Sequence, residues 1–76
     1  MQQIFHKTIG GTSLQFNRLL YPLKYQVKKD NLIEDGTIYE LVGQENGSWK
    51  TDKELPKWFE EIFERVCEAI NSNEQQ

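Results

Sequence analysis

The sequence predicts an α+β fold: an antiparallel meander of four to five short strands, closed by one C-terminal helix on one face of the sheet. Three observations predict it. Apolar residues alternate with period two through residues 4–20 and 23–29. Turn-forming pairs punctuate that alternation at Gly10-Gly11 and Asn46-Gly47. After Pro56 the apolar period changes to that of a helix.

Residues 4–20 read as a β-hairpin. Phe5, Ile9, Leu14, Phe16 and Leu20 fall on one face, with Lys7 and Arg18 as exceptions, and His6, Thr8, Ser13, Gln15 and Asn17 fall on the other. Two glycines tolerate the positive φ of a tight hairpin turn. With Gly10-Gly11 as the loop, Phe5 lies opposite Phe16 and Lys7 opposite Leu14. Tyr21-Pro22 ends the second strand, because proline has no N–H to give to a ladder. A third strand follows at Leu23–Lys29, with Leu23, Tyr25 and Val27 inward and Lys24, Gln26 and Lys28 outward. Asp30-Asn31 and Asp35-Gly36 bracket a loop whose Leu32-Ile33 pair should tuck against the domain edge.

Thr37–Gly43 is the fourth strand, apolar on both faces: Ile38 and Val42 on one, Tyr39 and Leu41 on the other. Such a strand is either covered twice or lies at a partner surface. Asn46-Gly47 returns the chain through Ser48-Trp49-Lys50, a short fifth strand. Pro56 suits the first helical position, and Thr51-x-x-Glu54 matches a capping box that would add a short turn upstream. At 100° per residue, Phe59, Ile62, Phe63, Val66 and Ile70 share the helix's buried face, with Cys67 on its shoulder. Glu60, Glu61, Glu64 and Glu68 lie opposite, where Glu61–Arg65 and Lys57 supply partial compensation. The single domain is expected over residues 1–71, and residues 72–76 are expected to be a polar, frayed tail.

Composition narrows the function classes. Seventy-six residues support one small core, not two lobes with a cleft between them. No apolar run approaches the ~18–20 residues of a membrane span, and the first residues lack the pattern of a secretory signal. The one cysteine, Cys67, permits neither an internal disulfide nor a cysteine-based zinc site, so a cytoplasmic protein is expected. Charge is uneven: residues 1–29 hold five bases and no acid, whereas residues 30–76 hold four bases and all twelve acids.

No constellation for chemistry emerges. Cys67 and His6 are the only thiol and imidazole, and they fall on differently facing surfaces with no third group to orient them. Metal-ligand spacings and phosphate-cradling loops are absent from the sequence, so neither metal nor cofactor is expected. A non-enzymatic binding protein is therefore expected, with a protein partner, acting as an inhibitor or adaptor. In size and acidity it is similar to inhibitors carried by phages and mobile elements, such as anti-CRISPR proteins, though no motif carries that analogy.

The expected partner-binding residues are Trp49 and Tyr39, as aromatic anchors, and the acidic row Glu60, Glu64 and Glu68. One helix should leave part of a five-stranded sheet uncovered, which points to a homodimer or a partner over strand 37–43. The alternative is a nucleic-acid-binding module using the basic sheet face, with Lys24, Lys28 and His6, although the aromatics that would stack bases fall mainly on the core side, and a small enzyme ranks third.

Overall fold

The computed structural model describes residues 1–30 and 36–76. The expected Leu32-Ile33 tuck lies outside the described residues. One five-stranded antiparallel sheet runs β1 (Ile4–Ile9), β2 (Thr12–Leu19), β3 (Lys24–Lys29), β4 (Tyr39–Gly43) and β5 (Trp49–Lys50), in that spatial order. One helix, α1 (Lys57–Glu74), packs on one face, which makes the α+β fold that the sequence predicts.

The first hairpin has the register set by its glycines, with Phe5 opposite Phe16 and Lys7 opposite Leu14. Gly10 and Gly11 both take positive φ, +60° and +81°, as a type I′ turn requires. Gly10 has a second constraint: a Cβ there would come within 2.7 Å of the Ile62 side chain on the helix. The Phe5 and Phe16 rings stack with centroids 4.6 Å apart, the cross-strand contact that holds this register.

The core lies between sheet and helix. Ile9, Leu14, Phe16, Tyr25, Val27, Tyr39, Leu41 and Trp49 come from the sheet, and Phe59, Ile62, Val66, Ala69 and Ile70 from the helix. All are buried, and Phe5, Leu23, Leu55, Trp58 and Phe63 pack partly buried around them.

Several boundaries differ from expectation. The fourth strand begins at Tyr39 rather than Thr37. The β4–β5 turn is longer than the Asn46-Gly47 pair: Gly43 lies opposite Trp49, and Gln44 N–H donates to Ser48 O at 2.9 Å. Pro56, with extended backbone, is the residue before the helix rather than its first. No turn of helix forms over 51–54; Lys53 N–H instead donates to Thr51 Oγ1 at 3.3 Å.

Phe63 is only half-buried, a correction to its expected place in the core. The buried stripe is Phe59, Ile62, Val66, Ala69, Ile70 and Asn73. With Phe59 at zero, Ile62, Ala69 and Asn73 draw its centre to about −30° and leave Phe63 about 70° away.

The largest correction concerns the C-terminus. Residues 72–74 are helical, and Asn73 is as buried as the core, so the end of the chain is a clamp rather than a frayed tail. Asn73 Nδ2 donates to Gln2 O and to Tyr25 Oη, both at 2.8 Å, and its Oδ1 accepts from Gln2 N–H at 2.9 Å. Glu74 accepts from Tyr25 Oη–H and from Arg18 Nε at 2.5 Å. Arg18, the charged exception on the core face of β2, is thereby paired across the domain.

Candidate functional site: the open face of the sheet

Strand alternation sends every second side chain away from the helix. The registers arrange these into rows across the sheet. His6, Gln15 and Lys28 form one row, which Ile38 extends at the approach to β4. Ile4, Asn17, Gln26 and Glu40 form the next, and Leu19, Lys24, Val42 and Lys50 the third. No described element lies over this face.

Most of its charged groups are already engaged. Glu40 accepts from Gln26 Nε2 at 2.8 Å and lies 3.3 Å from Lys24 Nζ; these two contacts, the amide first, hold its carboxyl below the usual range. Asp30 accepts from Ser13 Oγ at 3.0 Å and lies 3.3 Å from His6 Nε2. Lys53 Nζ donates to Ile38 O at 2.9 Å. Lys28, Gln15 and Asn17 make no side-chain hydrogen bond or ion pair among the described residues, and Asn17 Oδ1 is enclosed without a donor.

Two clefts open on the face. The smaller, of about 90 Å³, is lined by Gln15, Asn17, Gln26, Lys28 and Ile38. The larger, of about 440 Å³, runs from Gln26 and Ile38 past Glu40 and Val42 to Thr51, Asp52 and Lys53. They share Gln26 and Ile38, so they form one trough down the middle of the sheet.

The other expected site residues are placed as follows. Tyr39 and Trp49 are core residues, 6% and 8% exposed, so neither offers an aromatic anchor at the surface. Tyr39 packs against Phe59 at 4.8 Å and edge-on to Trp58. The Trp49 indole N–H donates to Asn71 Oδ1 at 2.9 Å, which satisfies its polar atom inside the fold. Gly43 makes room for that indole: a Cβ at Gly43 would sit 3.2 Å from the ring. The strand that reads as two-sided thus has its aromatic side inward and Ile38 and Val42 on the open face.

Glu60, Glu64 and Glu68 are exposed on the outer side of α1 and form no ion pair among the described residues; the expected Glu61–Arg65 pair is also not made. Lys24, Lys28 and His6 do share the open face, but Lys24 and His6 are held by Glu40 and Asp30. No aromatic side chain from a described strand lies on that face.

His6 projects from the open face and Cys67 belongs to the helix behind the other face, so the sheet separates them. Burial, and secondarily Glu64, push the Cys67 thiol up and keep it protonated at neutral pH. Cys67→Ala should leave partner binding within about twofold of the parent, because the thiol belongs to the helix behind the other face of the sheet. Calorimetric titration of the folded variant checks this, and a loss of binding without a loss of fold would contradict it. Among the described residues no group of three or more His, Cys, Asp or Glu side chains is placed to hold a metal ion. No helix among them is long and apolar enough to cross a membrane.

Compared with known proteins, the chain matches no family model, no curated protein and no solved structure.

Proposed function

We propose that this is a non-enzymatic binding protein that docks a protein partner on the open face of its sheet and acts by occupancy, as an inhibitor or adaptor does. One observation carries the reading: the helix covers one side of the sheet only, and the uncovered side holds Ile4, Leu19, Ile38 and Val42 among lysines whose local carboxylates are already neutralised. Aliphatic area within a polar, charged border is the composition of a transient protein interface. The surplus of lysine favours a partner with acidic groups around its contact area. The lack of a stacking platform on the same face counts against single-stranded nucleic acid. A single free thiol without a disulfide partner suits the cytoplasm.

The test starts by capturing a partner from cells of the native source with the parent protein, then measures its affinity for two variants. Ile38→Asp/Val42→Asp places charge on the aliphatic part of the open face, where the core is untouched. Glu60→Lys/Glu64→Lys/Glu68→Lys inverts the helix face. The first should weaken binding by tenfold or more, equivalent to about 1.4 kcal/mol. The second should alter mainly the association rate. The reverse ranking would move the interface to the helix, and a captured partner that proves to be nucleic acid would overturn the protein reading.

A further inference from the structure

We infer that the outer edge of β1 pairs with the same edge of a second copy, antiparallel and centred on Phe5, so that two five-stranded sheets join into one. This is independent of the docking reading above, because it uses the rim of the sheet and leaves the open face free.

The strand order leaves β1 at one rim of the sheet and the two-residue β5 at the other. In an antiparallel pair, residues that exchange hydrogen bonds alternate with residues whose N–H and C=O point the other way. The phase is fixed here: Arg18 N–H donates to Gln3 O at 2.7 Å, so Gln3, Phe5, Lys7 and Ile9 bond towards β2. Ile4, His6 and Thr8 therefore turn their N–H and C=O to the rim, where no described residue bonds them. The free rim starts at Ile4, because Asn73 takes both main-chain groups of Gln2. Apolar side chains are open along it as well. Ile4 is 51% exposed, and Phe5 is only half-buried although one face of its ring stacks on Phe16.

An unpaired strand edge is a template for another strand, and the side chains that then meet decide which strand fits. Two-fold pairing about Phe5 sets Phe5 against its own copy, Ile4 against His6 and Lys7 against Gln3. Phe5 takes a non-hydrogen-bonded position of the new ladder, where side chains come closest. The Phe16–Phe5 stack, 4.6 Å between centroids, is then continued by the same two rings of the second copy at the strand spacing of ~4.8 Å. Ile4 of each copy and His6 of the other form the hydrogen-bonded pairs on either side. Other axes fit less well. An axis at His6 opposes imidazole to imidazole, one at Lys7 opposes ammonium to ammonium, and one at Ile4 needs the main chain of Gln2, which Asn73 already holds. A lysine facing inward on an edge strand discourages indiscriminate pairing, and here it selects one register. The contact is isologous and consumes the one long rim of each copy, so association closes at the dimer. The two-fold axis is perpendicular to the sheet, so both helices fall on one side and the two open faces form one surface on the other.

The experiment is sedimentation equilibrium of the full chain from micromolar to millimolar concentration, with amide hydrogen exchange followed by NMR over the same range. An edge contact is smaller than a standard interface, so a dissociation constant of roughly 0.1 mM is expected. The mass should rise to twice that of the monomer and stop there. The Ile4 and His6 amides should gain protection with concentration, while Thr8, which lies opposite the occupied Gln2, should not. His6→Pro removes an N–H that the domain's own ladder does not use, so the Tm should hold while dimerisation weakens tenfold or more. Ile4→Pro makes the same change at the start of the strand, where the fold is least constrained, and should act alike. A monomer at every concentration, growth beyond the dimer, dimerisation unaltered in both proline variants, or protection that extends to Thr8 would each overturn the pairing.

Discussion

Phe59→Ala should lower the free energy of unfolding by about 3–5 kcal/mol, the range for truncating a fully buried phenylalanine. Phe59 has no exposed surface and is the hinge of the aromatic cluster. Its ring meets Tyr39 at 4.8 Å, Trp58 at 5.3 Å and Phe63 at 6.2 Å. No neighbouring backbone can collapse into the space, because the sheet beneath is held by its ladders and the helix is anchored at both ends. A domain of this size has a total stability of roughly 4–11 kcal/mol, so the variant should be partly unfolded at ordinary temperatures. Phe63→Ala, one turn further on and half-buried, should cost clearly less. Urea denaturation followed by tryptophan fluorescence measures both. Equal losses for the two positions would contradict the observed orientation of the helix.

Deletion of residues 73–76 should destabilise the domain by about 2–4 kcal/mol, from the loss of several part-buried hydrogen bonds. That corresponds to a fall in Tm of roughly 10–25 °C for a domain of this size. The deletion removes the side-chain bonds that tie the end of the helix to the first residues and to the sheet: Asn73 to Gln2 and Tyr25, and Glu74 to Arg18 and Tyr25. An unchanged Tm would mean that these residues are a passive tail.

The same clamp has a pH signature. The hydrogen bond from Arg18 holds the Glu74 carboxyl below its ordinary value against the opposing effect of burial, and the hydrogen bond from Tyr25 adds a smaller lowering. A depressed carboxylate contributes stability above its unfolded pKa near 4.5, and that contribution is lost as pH falls through the lower folded value. Burial, with the hydrogen bond to Glu74, pushes the Tyr25 hydroxyl up to about 12. A raised pKa contributes stability that is complete below the unfolded value of 10.0 and is lost as pH rises through about 12. Glu74→Gln should therefore flatten the acid limb of the Tm–pH curve below about pH 4.5 and weaken the alkaline limb only in part, because burial as well as Glu74 raises the Tyr25 hydroxyl. An acid limb as steep in the variant as in the parent would show that Glu74 does not govern it.

How much of this is legible in the sequence depends on the range of the interaction. The hairpin register follows from Gly10-Gly11 and local alternation, and the rows of the open face follow from the same alternation carried to β3. The clamp depends on a partner for Arg18 that lies 56 positions away, which no local pattern encodes. One signal was available: steps of 100° from Phe59 put Asn73 at about −40°, on the buried stripe, so the helix continues past Ile70 in the same phase. Polarity at positions 71–76 disguises this, because a buried asparagine with all its partners is polar in sequence and core in structure. The inward facing of Trp49 depends on Gly43, whose missing side chain admits the indole from the next strand.

Lysine modification read by mass spectrometry tests the docking face most directly, because the lysines are distributed over both sides of the molecule. Lys24, Lys28 and Lys50 point from the open face, whereas Lys7 has the opposite facing on β1 and Lys57 begins the helix. Acetylation rates are compared for the free protein and for its complex with the captured partner. Protection of Lys28, with Lys24 and Lys50 slowed beside it and Lys7 and Lys57 unchanged, is the expected pattern. Protection of Lys7 and Lys57 with Lys28 still fully reactive would contradict the assignment of the open sheet face as the binding surface.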